Sequence, residues 1–431
     1  MKRYSEYKDS GVKWIGEIPG HWKIMRLRAY LSMYSEKNHP DKQLLSVTRE
    51  SGVIVRNTES KEENHNYIPD DLSGYKLVRI GDFAINKMKS WQGSYGVSNF
   101  EGIVSPAYYV CKLKFPYKDF FSNAIRCKAY IPFFTQYSKG IRVDQWDLSP
   151  IALKNIPFFE PPLPEQEAIV TYLDSKVAKI DEYISIAEKK IAALEELKQT
   201  IIAEAVTRGI HKDVPMKDSG VKWIGMIPEH WKIMRLRFVC EFRNGYTPSK
   251  ANPKFWENGT IPWFRMEDIR DSGRFLNEAK QYISKEAVKG DGLFEAGSFI
   301  LATTATIGEH AMLIADSLAN QRFTNLKIRK SLISKLSRNF FFYYLFVIDE
   351  YCKSTTRKAT FPSVDMTDLK NIGVSIPPIE EQQEIVTYLD SKVANINQLC
   401  QAERSQIEKL KEYKQRLISD VVTGKVKVTN D

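Results

Sequence analysis

Lys8-Asp9-Ser10-Gly11-Val12-Lys13-Trp14-Ile15-Gly16 recurs as Lys217-Asp218-Ser219-Gly220-Val221-Lys222-Trp223-Ile224-Gly225. At this offset of 209, residues 8–28 and 217–237 differ only at Glu17/Met226 and Gly20/Glu229. A second repeat follows at an offset of 216: Leu153-Lys154-Asn155-Ile156 returns as Leu369-Lys370-Asn371-Ile372, and residues 169–178 (IVTYLDSKVA) return as 385–394. Between the repeats, residues 29–152 and 238–368 share no such likeness. Internal self-similarity of this kind is the signature of a duplicated module. The chain therefore reads as two copies of one unit: a shared lead-in, a private globular domain and a shared tail. Two related tasks with different targets are implied.

The shared tail predicts a helix. Pro161-Pro162-Leu163-Pro164 stops the preceding domain, and Glu165 and Glu167 fall in a first turn, where acids suit the helix dipole. Apolar residues then follow a heptad, with Val170, Val177, Ile184, Ile191, Lys198 and Ala205 at a and Leu173, Ile180, Ala187, Leu194 and Ile201 at d. The second copy places Val386, Val393, Cys400, Ile407, Lys414 and Val421 at a and Leu389, Ile396, Glu403, Leu410 and Leu417 at d. Gly209 and Gly424 stand where a terminating glycine belongs. Five or more heptads specify a coiled-coil seam rather than a globular face. About 40 residues at ~1.5 Å each give a helix roughly 60 Å long, and its apolar stripe needs a partner. The other copy is the natural one. Antiparallel pairing would set the two globular domains at opposite ends, as on a ruler, although the sequence alone leaves the sense open.

The rest of the composition bounds the function. The chain has 431 residues, 43% hydrophobic and 27% charged, as in a folded protein of two or three domains. The longest apolar run has nine residues, 340–348, against roughly 20 for a membrane span, and the amino terminus lacks a signal-peptide pattern. No membrane association and a cytoplasmic location are expected. Five dispersed cysteines without a C-x-x-C pair argue against disulfides and a cysteine zinc site, and the six isolated histidines suggest no metal. Net charge is +10. Residues 1–160 carry 24 Lys+Arg against 17 Asp+Glu, as do residues 216–376, whereas 161–215 carry 7 against 10 and 377–431 carry 8 against 9. Two equally basic bodies suggest a polyanion touched at two places.

Both private domains mix strand-like runs (residues 80–85 and 297–302) with aromatic-rich helical runs (120–130 and 339–351), so each is expected to be a mixed α/β body. Catalytic signatures are missing. There is no G-x-x-x-x-G-K-[ST] and no G-x-G-x-x-G, and Asn252-Pro253-Lys254-Phe255 lacks the second proline of an amino-methyltransferase motif. Three E-x-K triplets (Glu188-Lys189-Lys190, Glu196-Leu197-Lys198, Glu412-Tyr413-Lys414) fall on the heptad helices, where solvated charge is the simpler reading. DNA-reading residue types, by contrast, crowd the private loops. Candidate contacts are Arg49, Lys87, Lys89, Trp91, Gln92, Ser94 and Lys139 in the first domain. In the second they are Arg243, Thr247, Ser249, Lys250, Arg265, Thr306, Asn320, Gln321, Arg357, Lys358 and Thr360. Lys and Arg suit phosphates and guanine edges, and Asn and Gln suit adenine.

These motifs carry a resemblance. Gly245-Tyr246-Thr247-Pro248-Ser249, Phe255-Trp256, Ile261-Pro262-Trp263, Thr304-Ala305-Thr306-Ile307-Gly308, Asn320-Gln321 and residues 369–382 (LKNIGVSIPPIEEQ) resemble the specificity subunits of type I restriction–modification systems. Met88-Lys89-Ser90-Trp91-Gln92-Gly93-Ser94 and Gly102-Ile103-Val104-Ser105-Pro106 resemble another recognition-domain subtype, which departs from the Gly-x-Thr-Pro-Ser pattern. The resemblance covers essentially the whole chain. It implies two α/β (α+β) target-recognition domains, residues 1–160 and 210–376, joined by two long helices, 161–209 and 377–425, in an intramolecular antiparallel coiled coil with pseudo-two-fold symmetry and a short tail, 426–431. It further implies a non-catalytic subunit whose domains each read half of a bipartite, asymmetric double-stranded DNA target while the helices set the gap. The implied partners are two copies of a methyltransferase subunit using S-adenosylmethionine, with an ATP/Mg-dependent restriction or translocase subunit able to join. A target adenine would be flipped into the partner's pocket, and this chain would hold no cofactor itself. The rival readings are a coiled-coil adaptor that never touches DNA and a self-sufficient DNA-modifying enzyme.

Overall fold

The repeated segments adopt the same local structure twice in the computed structural model, which describes residues 2–58, 68–140, 146–211, 213–355 and 363–429, the Ser272 side chain excepted. In the first copy, Tyr7–Asp9 and Glu17–Pro19 form an antiparallel ribbon, and Lys23–Arg26 pairs with Pro157–Glu160. In the second, Met216–Asp218 pairs with Met226–Pro228 and Lys232–Arg235 with Gly373–Ile376. Each lead-in thus closes on the far end of its own private domain.

Two units make up the chain, residues 1–188 with 404–431, and residues 189–403. The division falls inside both long helices, Leu163–Arg208 and Ile379–Val422, rather than at their ends. Each private domain shares a core with the portions of both helices in its own unit. In the first unit Ile169, Val170, Leu173 and Ile180 share a cluster with Leu417, Val421 and Val422. In the second, Ile202, Ala205 and Val206 share one with Ile385, Val386 and Leu389.

Within each unit the helices run antiparallel. Lys414 Nζ sits 2.7 Å from Asp181 in the first unit. In the second, Lys190 pairs with Glu403, Lys198 Nζ donates to Asn397 Oδ1 at 3.1 Å, and His211 lies 2.9 Å from Glu384. The expected a and d positions are the buried or half-buried ones along both helices, with charged faces between them. The polar a and d residues Lys198, Glu403 and Lys414 are the ones with cross-helix partners, as polar seam residues that fix register should be. All three E-x-K triplets therefore end in a lysine that bridges to the other helix. One seam position shares its burial with a neighbour. Ile201 is only half-buried, while Ile202 beside it is fully enclosed. A straight helix drifts from a 3.5-residue repeat, and here the last turns leave the seam for the domain core beside Trp231.

A clamp repeated in both units ties lead-in to helix. Trp22 Nε1 donates to Glu165 Oε2 at 3.0 Å, and His21 Nε2 meets Oε1. Trp231 Nε1 donates to Glu381 Oε2 at 3.0 Å, with His230 Nε2 at 2.8 Å from the same oxygen. Gln166 and Gln382 each cap the proline-rich stop, donating to Pro161 O and Pro377 O at 2.8 Å. The terminating glycines complete the pattern. Gly209 (φ +80°) and Gly424 (φ +74°) end the helices against the Trp231 and Trp22 rings, where a Cβ would come within 3.2 and 3.1 Å.

Each private domain is built on an antiparallel sheet of matching order. The first runs Leu31–Tyr34, Tyr109–Leu113, Phe83–Ile85, Tyr95–Val97. The second runs Cys240–Asn244, Phe323–Ile328, Phe299–Ala302, His310–Leu313 and adds Phe275–Leu276, which pairs parallel to the last of these. Strands were expected at 80–85 and 297–302, and their cores form them. The helical run 339–351 lies inside Arg338–Thr355. The run 120–130 is instead two helices, Lys118–Arg126 and Ile131–Tyr137, because Cys127 turns extended and Pro132 opens the second. Among the described residues no helix is long and apolar enough to cross a membrane, and all five cysteines are buried free thiols.

Candidate nucleic-acid interface

Sheet topology decides which loops meet. In the second unit, Asn244 pairs with Thr324, Ala302 with Phe323 and Leu301 with His310. The loop after Asn244, the loop before Phe323 and the loop from Thr303 to Glu309 therefore share one end of the sheet. Thr247, Lys250, Thr306, Asn320 and Gln321, singled out from the sequence, all lie on these loops.

A cleft of about 410 Å³ opens there, lined by Thr247, Lys250, Trp263, Arg265, Asn320, Gln321 and Arg322 together with Met266 and Glu267. Its shape follows from the Gly245-Tyr246-Thr247-Pro248-Ser249 turn. A Cβ on Gly245 would stand 2.2 Å from Asn320 O and 2.4 Å from Ala319 O, so only glycine lets the two loops touch. Tyr246 N donates to Ala319 O at 2.9 Å, and Trp263 Nε1 donates to Tyr246 O at 3.0 Å. Trp256 packs edge-on against Trp263 and donates to Ser249 O at 3.1 Å, leaving Ser249 and Lys250 exposed at the rim. On the opposite wall Arg265 opens the helix Met266–Ser272, its N–H donating to Asp268 Oδ2 at 2.7 Å and its guanidinium paired with Glu267. Thr247 Oγ1 donates to Gln321 Oε1, which leaves the Gln321 amide N–H₂ to face the cleft or solvent. Amide, hydroxyl and cationic groups converging on one concave surface can take up base edges and phosphates together.

Three of the remaining second-unit candidates, Arg357, Lys358 and Thr360, lie outside the described residues. Thr306 is half-buried on the neighbouring loop, next to Ala305 at φ +67°, and does not line the cleft. Arg243 is reassigned. Its guanidinium donates to Asp291 O and, at 2.9 Å, to Gly292 O, and it lies over the Phe294 ring at 4.4 Å. Burial pulls its pKa down, and its donors serve the fold.

In the first unit the equivalent loops bring Lys87, Lys89, Trp91 and Lys139 together. Lys139 pairs in register with Asp147, whose carboxylate holds Lys87 Nζ at 2.8 Å and raises its pKa. Trp91 packs against Trp146 at 5.4 Å and accepts a hydrogen bond from Thr135 on its backbone carbonyl. Arg49 and Gln92 fall elsewhere, in a groove of about 740 Å³ shared with Arg126, Lys128, Lys411 and Lys414. Ser94 is corrected outright. It is 3% exposed and turned into the domain, so no base edge reaches it.

Sequence reading missed the charged centre beneath the second unit's sheet. His310, fully buried, has Nδ1 2.6 Å from Asp349 Oδ2, and Arg274 Nη1 lies 3.3 Å from the same oxygen. Burial holds the His310 pKa below its ordinary value. Arg274 already balances Asp349, so a second cation there would go unpaired. The residues lie far apart in sequence, and no spacing announces them.

Comparison with known proteins places this geometry. Residues 228–409 match the family model of the type I restriction modification DNA specificity domain. The chain is 46% identical over 159 residues to the type I restriction enzyme EcoprrI specificity subunit of Escherichia coli, covering 35% of this chain and 40% of that protein. It is 23% identical over 455 residues to the putative type I restriction enzyme MjaX specificity subunit of Methanocaldococcus jannaschii, covering 98% of both. The EcoprrI match thus spans less than half of that relative and the MjaX match nearly all of its own. A chain solved in work on complex assembly and conformational transition of the type I R-M system superposes with a TM-score of 0.66 at 19% identity, over 94% of this chain and 98% of that one. Residues 228–409 thus carry a type I restriction modification DNA specificity domain, and the chain along its length is similar to type I specificity subunits.

Proposed function

We propose that this chain selects the DNA target of a type I restriction–modification complex, each private domain reading one half of a bipartite, asymmetric site. The cleft between Gly245–Lys250 and Asn320–Arg322 carries this reading, because it gathers base-reading and phosphate-binding groups that are dispersed in sequence. The antiparallel helices set the unread gap. The chain itself does no chemistry and holds no cofactor. Two copies of a methyltransferase subunit bring S-adenosylmethionine and perform the transfer, and an ATP/Mg-dependent restriction or translocase subunit can join them. Duplicated outer-face residues support two identical partners: Lys176 lies over Tyr172 and Lys392 over Tyr388, each at 5.7 Å.

The test is selection from randomised duplexes by the full chain, alone and with a co-expressed methyltransferase subunit. Enrichment of two short words at one fixed separation is expected. No enrichment would favour an adaptor that does not touch DNA, and methylation by the purified chain alone would favour a self-sufficient enzyme.

A further inference from the structure

The two sheets align residue for residue. Val110 pairs with both Tyr34 and Ala84, and Asn325 pairs with both Arg243 and Ile300. Counting from these pairs, Lys37 stands at the place of Tyr246, Tyr108 at that of Phe323, and Asn86 and Lys87 at those of Ala302 and Thr303. In the second unit the candidate cleft opens beside these places. In the first unit the same place is crowded with positive charge. Lys76 Nζ donates to Tyr108 O at 2.6 Å, and burial together with the nearby Lys37 and Lys87 pushes the Lys76 pKa down.

Beneath them lies a carboxamide left incomplete. Asn86 is 5% exposed, and its Nδ2 donates to the Tyr108 hydroxyl at 3.1 Å. Its Oδ1 has no hydrogen-bond partner among the described residues. Exchanging the two ends of the amide leaves one polar atom unmet either way, since the hydroxyl can donate or accept. A buried polar atom without a partner is costly, and so is the half-buried Lys76 ammonium beside two other cations, even with Asp147 holding Lys87. A ligand that brings negative charge and base-edge donors relieves both. Adenine offers N6 as donor and N7 as acceptor, the pair that a carboxamide meets bidentately, and Tyr108 Oη now stands where N7 would.

We propose that the first unit reads DNA at this sheet end, with Lys37, Lys76 and Lys87 on phosphates and Asn86 on an adenine admitted when the Tyr108 side chain swings aside. The inference rests on the DNA-reading function proposed above and assigns its first-domain site.

Randomised-duplex selection and salt-dependent binding by the full chain test it. Asn86→Asp should lose one adenine position in one half-site, by roughly tenfold to a hundredfold, with the other half-site unchanged. Lys37→Ala with Lys76→Ala should weaken binding to all duplexes and lower the salt slope by about two, as for two lost phosphate contacts. Tyr108→Phe removes the hydroxyl but keeps the ring, so it should retain the adenine preference at full strength or better. Folded variants that keep both half-sites and the wild-type salt slope would overturn the site. So would loss of adenine preference in Tyr108→Phe, which would make Asn86 a structural support for that hydroxyl. A wild-type chain that enriches no sequence would instead overturn DNA reading altogether, and this inference with it.

Discussion

Removing the carboxylate of either lead-in clamp should destabilise its own unit, and by at least as much in the first, where Tyr4 Oη also donates to Glu165 Oε2 at 3.0 Å. In Glu381→Ala, Trp231 Nε1 loses an acceptor at 3.0 Å and His230 loses one at 2.8 Å. Trp231 is fully buried, so its N–H cannot turn to water. A buried donor stripped of a charged partner costs about 1.5–3 kcal/mol. Glu381 also lies in the first turn of its helix, where a carboxylate adds about 0.3–1 kcal/mol. A loss of about 2 kcal/mol lowers the melting temperature of a unit of this size by roughly 4–8 °C. Glu165→Ala should cost the first unit at least as much, since Trp22 is equally buried and Tyr4 loses its acceptor too. The two effects should add within about 0.5 kcal/mol, because the clamps share no partner. Glutamine at either position keeps an acceptor for the indole and should recover half the loss or more. Differential scanning calorimetry with urea titration followed by tryptophan fluorescence reads all five variants. A clear loss in one alanine variant and none in the other would refute the claim that the clamps are equivalent.

Three further outcomes follow from the geometry. Gly245→Ala forces a Cβ to within 2.2 Å of a backbone carbonyl, so it should displace the turn and erase the second half-site in a binding selection while sparing the first. Because His310 is held neutral by burial, the unfolded chain binds the additional proton; its contribution is intact above the ordinary pKa of about 6.5 and is lost as pH falls through the lower folded-state value. The second unit should therefore melt progressively lower in that window, and His310→Gln should flatten the dependence. Inserting one heptad after Glu188 and one after Glu403 adds ~10 Å to each helix. The selected gap should lengthen by about three base pairs at ~3.4 Å per step, with both words unchanged.

The seam was legible because burial along a helix is periodic, and a 3.5-residue pattern survives in the letters. Ile201 and Ile202 mark where that logic ends, since the last turns answer to the domain core instead. The second-domain cleft was partly legible: Thr247, Lys250, Arg265, Asn320 and Gln321 are polar types suited to base edges and phosphates, and the fold brings them into one cleft. Residue type alone misassigned Arg243 and Ser94, whose donors serve loop carbonyls and a domain interior. Glu165 looked like a helix-dipole acid, and the indole partners of both clamp glutamates, more than 140 positions away, left no trace in local sequence. Tyr108 and Lys76 escaped notice for the same reason, being assembled with Asn86 by strand register rather than by proximity in the chain.

The central claim, two interchangeable readers on a duplicated frame, is tested most directly by replacing residues 29–152 with a second copy of residues 238–368. Both junctions fall at the edges of the repeated segments, so the lead-ins, clamps and helices stay native. Selection from randomised duplexes, or mapping of methylated positions when methyltransferase subunits are supplied, should yield the second word twice, as an inverted repeat across the usual gap. A target that still contains the first word, or that loses both, would contradict the account.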